Sequence, residues 1–379
     1  MTNRLSKRFE ALDAFRGISA ICVVVFHLHF VGSFTEWSFF RGSYIFVEFF
    51  FILSGFVLAH GYGTKEKLRF KPYIKARFFR IYPLHFVMLL VMLGLEAAKL
   101  AAYKFAGITF NDIPFTGSNA PIQLIPELLL IQSWFPATAN GSFNYPSWSI
   151  SIEFYLYIAL FLTIAVAGAK RVWAWVAIAF SSFFLLSLYP DSPHRVPFTG
   201  LACFFGGACI YMVFRKCHGT YVPYSLATLL EAAALVAVFA IVQAKGSPYH
   251  TQAAIVTFLA TVFCFAFESG AISRLLKHSI CQKVGTLSYS IYMIHVAIIF
   301  VITSGFIVLN RKFAIDLAPT IEAQRYLTLG DANLNNVLVL VILAFIVFCA
   351  HWSYKLIEVW GQNFGKKKNA SVFSASTAQ

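Results

Sequence analysis

Charge is the scarcest feature of this sequence. Of 379 residues, 12% are Asp, Glu, Lys or Arg, whereas 59% are hydrophobic and 17% aromatic. Soluble globular domains carry about 25% charged residues. The composition therefore excludes an ordinary soluble protein and predicts a polytopic membrane protein. No polar stretch is long enough for a sizeable soluble domain, and no internal repeat at a fixed period is present.

Metal-ligand spacing is also lacking. The seven Cys include no CxxC pair, and most lie within apolar runs, where they are interpreted as small core residues. No metal site is predicted. The formal net charge of +14 would suit nucleic-acid binding in a polar protein, but here a bias of Lys and Arg toward cytoplasmic loops explains it first. No nucleic-acid partner is expected.

What the sequence does contain is a series of apolar runs long enough to cross about 30 Å of hydrocarbon, which takes roughly 20 helical residues. The runs are continuous rather than alternating, so helices are predicted instead of a barrel. The fold class is an all-α helical bundle of about ten transmembrane helices. They are placed near 15–34, 44–62, 80–100, 148–168, 172–189, 198–214, 224–243, 252–268, 287–309 and 336–357.

Lys and Arg are divided unequally between the two sides of this topology. With the N-terminus in the cytoplasm, 22 of the 30 basic residues fall inside and 8 outside. Both termini are therefore predicted to be cytoplasmic, with an uncleaved first span. One transmembrane domain is expected over 1–368, followed by a disordered cytoplasmic tail over 369–379.

Two long loops, 101–147 and 310–335, are expected outside. The first contains PIQLIPELLLIQSWF, which is too short and too Pro-interrupted for a span and is interpreted as a re-entrant or interfacial helix.

Ionisable residues interrupt the first apolar run, LDAFRGISAICVVVFHLHF. Arg16 and His27 are eleven residues apart, just over three helical turns, so they share a face and lie about 16 Å apart along the axis. If Arg16 marks the cytoplasmic boundary, His27 lies close to the bilayer centre. A His there is costly unless it faces a polar cavity or a partner. The alternative is a His satisfied by a neighbouring hydroxyl or carbonyl, with Arg16 as a topological anchor. Asp13 is a supporting candidate.

The next two runs add a carboxylate and two guanidiniums. Glu48 begins VEFFFILSGF, where the Ser54-Gly55 pair permits close helix approach. Arg77 and Arg80 share one helix face in RFFRIYP at the membrane edge, and two guanidiniums there suit a diphosphate or a phosphomonoester. Binding of anionic lipid headgroups is the alternative.

Three later motifs complete the candidate set. In PSWSISIEFYLY, Trp148, Ser151 and Glu153 open a span, and the carboxylate is expected to pair with His27 or Arg16. GTLSYSIYMIH ends in His295, a second imidazole in an apolar helix. In SYKLIEVWG, Lys355 and Glu358 are three apart and are interpreted as a structural pair.

Together these motifs resemble the acyltransferase-3 family of integral membrane acyltransferases. The match consists of LDAFRGISAICVVVFH, VEFFFILSGF, RFFRIYP, WSISIEFYLY, LSYSIYMIH and SYKLIE, in the family's order from about residue 9 to 360. Two departures are small: Glu48 stands where Asp is frequent, and SISIEFY replaces the commoner SLSVEEQFY.

The resemblance implies an O-acyltransferase that moves an acyl group, most often acetyl, from cytosolic acyl-coenzyme A to a hydroxyl of an extracytoplasmic or lipid-linked sugar. O-antigen of lipopolysaccharide, exopolysaccharide and similar envelope glycans are candidate acceptors. It implies a multi-pass protein of the bacterial inner membrane.

By the resemblance, His27 and Arg16 are predicted catalytic residues and Arg77 and Arg80 predicted donor-binding residues. Glu153 is a further predicted catalytic residue, as a carboxylate suited to orienting His27. His27 is expected to act as general base or as transient acyl carrier, oriented by Arg16 or Glu153.

Two other function classes remain open. A transporter or flippase of envelope glycan precursors would also use intramembrane His, Glu and Arg, although no inverted repeat is present. A scaffold subunit of an envelope-assembly complex leaves those ionisable residues unexplained.

Overall fold

A computed structural model describes residues 8–110, 112–244, 246 and 249–366. The predicted tail 369–379 lies outside the described residues, as do Arg4, Lys7, Lys245, Lys367 and Lys368 from the charge count. Most described residues are helical, so the all-α prediction is confirmed.

Thirteen α-helices lie in the described part of the chain. They are α1 (Glu10–His27), α2 (Ser38–Gly42), α3 (Phe46–Tyr62), α4 (Phe70–Ala106), α5 (Leu124–Leu129), α6 (Ser147–Ala167), α7 (Arg171–Leu188), α8 (Arg195–Cys217), α9 (Tyr224–Gln243), α10 (His250–Ala266), α11 (Ala271–Leu276), α12 (Ser279–Phe313) and α13 (Ala332–Ser353). A π-helical turn, Tyr354–Glu358, continues α13. Two short strands, β1 (Thr320–Ile321) and β2 (Gln324–Arg325), form an antiparallel hairpin with Thr320 opposite Arg325.

Within the described residues, seven helical runs are long and apolar enough to cross a membrane, so the chain is a multi-pass membrane protein. They are Ser38–Tyr62, Phe70–Ala106, Ser147–Leu188, Arg195–Cys217, Tyr224–Gln243, Ser279–Phe313 and Ala332–Lys366. Three predicted spans are not counted separately, each for its own reason. Helices α6 and α7 run on through a turn at Gly168–Lys170, α1 carries three charged residues, and α10 has only 17 residues. Ten spans and two cytoplasmic termini stay predictions.

The first predicted span, 15–34, is wrong at both ends, since α1 begins at Glu10 and stops at His27. Arg41 explains the stop. Its Nη2 donates to the carbonyls of Val25 at 2.8 Å and Leu28 at 2.7 Å at the end of the helix, where the Val25 carbonyl also accepts the Leu28 N–H at 3.1 Å. Its Nε donates to the carbonyl of Thr35 at 2.6 Å. His27 therefore lies at the C-terminal end of a helix.

The chain divides into two compact units. The first comprises the residues up to Cys22, Gly42–Phe70 and Tyr155–Ser288. The second comprises Val23–Arg41, Lys71–Phe154 and the residues from Tyr289 on. The prediction of one domain over 1–368 is not tested by this division.

In the first unit, α3 and α8 meet backbone to backbone. A Cβ added to Gly55 would lie 1.8 Å from the carbonyl oxygen of Phe204, and one added to Gly207 would lie 2.1 Å from that of Ile52. A side chain at either position would force the helices apart. The predicted close approach at the Ser54-Gly55 pair is therefore confirmed.

In the second unit, the residues after α13 lie against α4 near Pro83. Pro83 has no backbone N–H, so the carbonyl of Phe79 loses its helical partner. A Cβ on Gly361 would lie 3.0 Å from that carbonyl oxygen and 2.8 Å from Pro83 Cγ. Helix α4 nevertheless continues through Pro83 to Ala106, and the hydroxyl of Tyr289 on α12 donates to the carbonyl of Ile81 at 2.6 Å.

The second unit has two largely non-helical segments. One follows α12 and contacts the residues after α1, and the other lies between α4 and α6. The segment after α12 contains the hairpin and joins the strand-like residues after His27, because the Leu327 N–H donates to the His29 carbonyl at 2.8 Å and the Val31 N–H donates to the Leu327 carbonyl at 3.1 Å. The segment between α4 and α6 contains two 3-10 turns, Gly117–Asn119 and Pro121–Gln123, and the short helix α5, which ends at Leu130 in a left-handed conformation. Its re-entrant or interfacial placement stays a prediction.

Candidate active site

In the second unit, two histidines from distant parts of the sequence meet. His27 ends α1 and His295 lies on α12, where it is fully buried. Nε2 of His295 lies 3.3 Å from Nδ1 of His27, and the ring centroids are 4.9 Å apart. The sequence named both residues as candidates, but it did not predict that they meet.

Backbone carbonyls fix the proton positions in this pair. Nδ1 of His27 lies 2.9 Å from the carbonyl oxygen of Val23, and Nδ1 of His295 lies 2.7 Å from that of Tyr292. Because a carbonyl can only accept, both Nδ1 atoms must carry hydrogen. His295 Nε2 is then an acceptor that shares the Nδ1–H of His27 with Val23.

The fourth ring nitrogen of the pair differs from the other three in its contacts. Nε2 of His27 is buried and has no hydrogen-bond partner among the described residues. In the neutral tautomer it carries a lone pair. A lone pair held in a fixed direction, with a second imidazole behind the ring, is the arrangement that a general base or nucleophile needs.

The residues just before α6 cover this pair. The Tyr145 ring is half exposed and packs edge-on to His27, with centroids 5.8 Å apart. Its neighbour Asn144 is buried, and its Nδ2 donates to the carbonyl of Met293 at 3.2 Å. The sequence analysis missed Tyr145 and Asn144. They stand in NYPSWS directly before a noted motif, but neither is charged, so no signal separated them from ordinary loop residues.

Arg80 is held by a buried carboxylate. Nη1 of Arg80 lies 3.5 Å from Oε2 of Glu358, whose side chain is 0% exposed against 35% for Arg80. The hydroxyl of Ser290 donates to Oε1 of Glu358 at 2.5 Å. The interpretation of Lys355 and Glu358 as a pair is therefore wrong. The π-helical turn changes the spacing of side chains there, and the Lys355 ammonium lies instead over the Trp352 ring.

Arg77 lies one turn before Arg80 on the same face of α4, as predicted, and is half-buried. Two guanidiniums on one face, one of them ion-paired to Glu358, are groups suited to binding phosphate oxygens. Their predicted role in donor binding stays a prediction.

Arg16 and Asp13 lie in the first unit. Asp13 accepts from Nε of Arg8, and its Oδ1 lies 3.9 Å from Nη1 of Arg16, so Arg16 has a carboxylate partner on its own helix. Glu48 lies in the first turn of α3, also in the first unit. The predicted orientation of His27 by Arg16 is not among the contacts of either unit and stays a prediction.

Three predicted residues lie on the first turns of α6 in the second unit. Ser151 has a structural role, because its hydroxyl donates to the carbonyl of Leu130 at 2.7 Å and accepts the Ser133 N–H at 3.3 Å. Trp148 and Glu153 are half-buried. The expected pairing of Glu153 with His27 or Arg16 stays a prediction.

A third group, missed by the sequence analysis, surrounds Glu127 on α5. Its buried carboxylate accepts hydrogen bonds from Ser142, Ser147 and Gln132. The signal was present: Glu127 is an acid within an apolar stretch, as Glu48 is. The interpretation of this stretch as a re-entrant or interfacial helix assigns no role to its acid. Among the described residues, no group of three or more His, Cys, Asp or Glu is arranged to hold a metal ion.

Comparison with known proteins places these residues in a family. The acyltransferase-3 profile, described as an acyltransferase domain, matches residues 9–356, nearly the whole chain. The chain is 28% identical over 279 residues to the acyltransferase MdmB of Streptomyces mycarofaciens, covering 67% of each chain. It is 34% identical over 165 residues to protein 2 in the picA locus of Rhizobium radiobacter, covering 40% of this chain and 81% of that protein.

A more distant relative is the peptidoglycan O-acetyltransferase OatA of Listeria monocytogenes. The two are 26% identical over 186 residues, which cover 45% of this chain and 27% of that protein. No solved structure matches the chain.

Proposed function

Because the chain belongs to the acyltransferase-3 family and is a membrane O-acyltransferase, we propose that it moves an acyl group, most simply acetyl, from cytosolic acyl-coenzyme A to a sugar hydroxyl. The acceptor is an extracytoplasmic or lipid-linked glycan of the cell envelope, and the protein acts in the bacterial inner membrane. The observation that carries the proposal is the His27–His295 pair, with the Nε2 lone pair of His27 unoccupied among the described residues.

In the general-base mechanism, Nε2 of His27 takes the proton from the acceptor hydroxyl as its oxygen attacks the thioester carbonyl carbon. A carbon–oxygen bond forms and the carbon–sulfur bond breaks. The departing thiolate then takes the proton back from Nε2, so the imidazole ends neutral. While Nε2 holds the proton, the Nδ1–H shared by Val23 and His295 stabilises the positive charge.

In the acyl-carrier mechanism, Nε2 of His27 attacks the thioester and the thiolate leaves first. The acceptor hydroxyl then attacks the acyl-imidazole, and its proton goes to the thiolate. Incubating the protein with acetyl-labelled coenzyme A and no acceptor distinguishes the two, because only the second mechanism leaves label on the peptide that contains His27.

The donor is proposed to bind through its phosphates at Arg77 and Arg80. Glu358 and Ser290 support this assignment, because they hold one guanidinium in place before a ligand arrives. Arg77→Gln and Arg80→Gln should raise the KM for acetyl-coenzyme A without preventing membrane insertion. An unchanged KM in both variants would contradict the phosphate assignment.

Arg16 and Glu153 remain proposed catalytic residues, with two alternative roles: orienting His27 or acting toward substrate. Val23 and His295 already engage the Nδ1 of His27, so neither residue is required to hold the imidazole. If both act toward substrate, Arg16→Gln and Glu153→Gln should lower the transfer rate and leave the His27 peptide as reactive toward imidazole reagents as in the wild type.

The competing function is a flippase or transporter of glycan precursors. Purified protein in lipid vesicles, given acetyl-labelled coenzyme A and candidate envelope glycans, separates the two classes. An acyltransferase yields labelled ester on the glycan, whereas a transporter moves glycan and leaves no acylated product. Mass spectrometry of envelope glycans from cells with and without the gene then identifies the acceptor.

A further inference from the structure

The Glu127 side chain is hydrogen-bonded to three parts of the second unit. Its side chain is 0% exposed, yet it lies on α5, a six-residue helix outside the membrane-spanning runs. Its carboxylate accepts the hydroxyl of Ser142 at 2.5 Å and that of Ser147 at 3.0 Å, and the amide of Gln132 at 3.1 Å. A carboxylate that receives three side-chain donors fixes all three segments at once.

The two serines enclose a short stretch of chain, residues 142–147. Ser147 is the first residue of α6, and Ser142 lies five residues earlier, so both ends of the stretch are tied to one carboxylate. Phe143, between them, has a φ of +40°, a left-handed conformation that costs a non-Gly residue free energy. The hydrogen bonds to Glu127 are in a position to offset that cost.

The stretch 142–147 carries the groups that face the histidine pair. Tyr145 packs edge-on to the His27 ring, and Asn144 donates to the carbonyl of Met293, two residues before His295. Glu127 therefore holds the two ends of the stretch 142–147 and α12 holds its middle, and together these contacts place Tyr145 over His27.

The other side of Glu127 is tied to the helix of the donor-binding arginines. Nε2 of His85 on α4 donates to the backbone carbonyl of Glu127 at 3.0 Å, and His85 is five residues after Arg80. The α5 helix thus lies between the helix that carries Arg77 and Arg80 and the stretch that covers His27.

We propose that Glu127 is a positioning residue for acyl transfer, which holds residues 142–147 so that Tyr145 covers His27 in the working geometry. This rests on the proposed function, since the geometry matters for catalysis only if His27 is the base or carrier. The positioning itself does not depend on that function and is tested separately below.

A matched control exists in the first unit. Glu231 on α9 is also a buried carboxylate with several donors: it accepts the Gly270, Ile272 and Ser273 N–H groups and the Ser273 hydroxyl. It accepts backbone N–H groups at the N-terminus of α11 and belongs to the unit that does not contain His27. Glu231→Gln therefore reports what loss of a buried, multiply bonded carboxylate does to folding alone.

The first experiment compares Glu127→Gln with Glu231→Gln in purified full-length protein, normalised to folded protein. We expect Glu127→Gln to lower kcat by about 100-fold with the KM for acetyl-coenzyme A within about twofold of wild type, as for a misplaced reacting group. Glu231→Gln should leave kcat per folded molecule unchanged. Equal kcat in wild type and Glu127→Gln would overturn the proposal.

The second experiment measures positioning without catalysis. Diethyl pyrocarbonate modifies exposed imidazole nitrogens, and peptide mass spectrometry reports its rate at His27. Release of the Tyr145 cover in Glu127→Gln should raise that rate severalfold, and Ser142→Ala, which removes one donor, should raise it less. An unchanged rate in both variants would contradict the positioning role, whether or not the protein proves to be an acyltransferase.

Non-additivity provides the last check, and it applies if Glu127→Gln alone fails to fold. Ser142→Ala and Ser147→Ala should each lower kcat, and the double variant should lose less than the product of the two separate effects, because both act through one carboxylate. Independent, multiplicative losses would show that Glu127 does not join them.

Discussion

Replacing Arg80 should cost more folding free energy than replacing its partner Glu358. Glu358 is 0% exposed and Arg80 is 35% exposed, so only the carboxylate is fully removed from water. Arg80→Gln leaves a buried charge with Ser290 as its hydrogen-bond donor, and we expect a loss of about 3 kcal/mol, the low end for breaking a buried pair. Glu358→Gln leaves a partly solvated guanidinium and should cost about 1 kcal/mol.

The double variant tests this reasoning directly. Without the carboxylate, no buried charge is left unpaired, so Arg80→Gln with Glu358→Gln should cost about 2 kcal/mol, less than Arg80→Gln alone. The measurement is chemical unfolding of the purified protein in detergent, followed by the KM for acetyl-coenzyme A. The double variant should regain stability but not donor affinity. Additive losses in stability, or equal losses in the two single variants, would refute the pairing as the cause.

Three further predictions concern other parts of the fold. Burial raises the pKa of the Glu127 carboxyl from 4.5 to about 7, and His85 is its titratable neighbour. The protonated Glu127 carboxyl therefore stabilises the fold fully below pH 4.5, and this stabilisation is lost as the pH rises through 7. That contribution is about 3 kcal/mol, and pH-dependent unfolding of Glu127→Gln should lack it. Gly55→Ala should lower stability by about 3 kcal/mol or prevent folding because its Cβ meets a carbonyl on α8, whereas Gly61→Ala on the same helix, with open space around it, should not. Arg41→Gln should cost about 2 kcal/mol and slow acyl transfer, since it removes a charged donor from two carbonyls at the end of α1. Unaltered unfolding of the variant would contradict that role.

Much of the fold follows from local features of the sequence. Long apolar runs predict membrane helices because hydrocarbon leaves the backbone no other partner, and most predicted boundaries lie within a few residues of the observed ones. The close approach at Gly55 and the shared face of Arg77 and Arg80 also follow, since both depend only on residue size and helical period.

The site itself depends on contacts that no local pattern encodes. His27 and His295 are 268 positions apart, and Arg80 and Glu358 are 278 apart, so their pairing is a property of the packed unit. The early end of α1 is set by Arg41, fourteen residues after His27. Apolar patterning continues past His27 and therefore predicts a longer helix than the one that forms.

The most direct test of the central proposal is the transfer rate of His27→Ala. Purified variant and wild type are placed in lipid vesicles with acetyl-labelled coenzyme A and envelope glycans, and His351→Ala, which alters an exposed imidazole on α13, is the control. We predict that His27→Ala loses at least about 100-fold in labelled ester per folded molecule while His351→Ala keeps the wild-type rate. Transfer by His27→Ala at the wild-type rate would contradict the assignment of His27 as the reacting group.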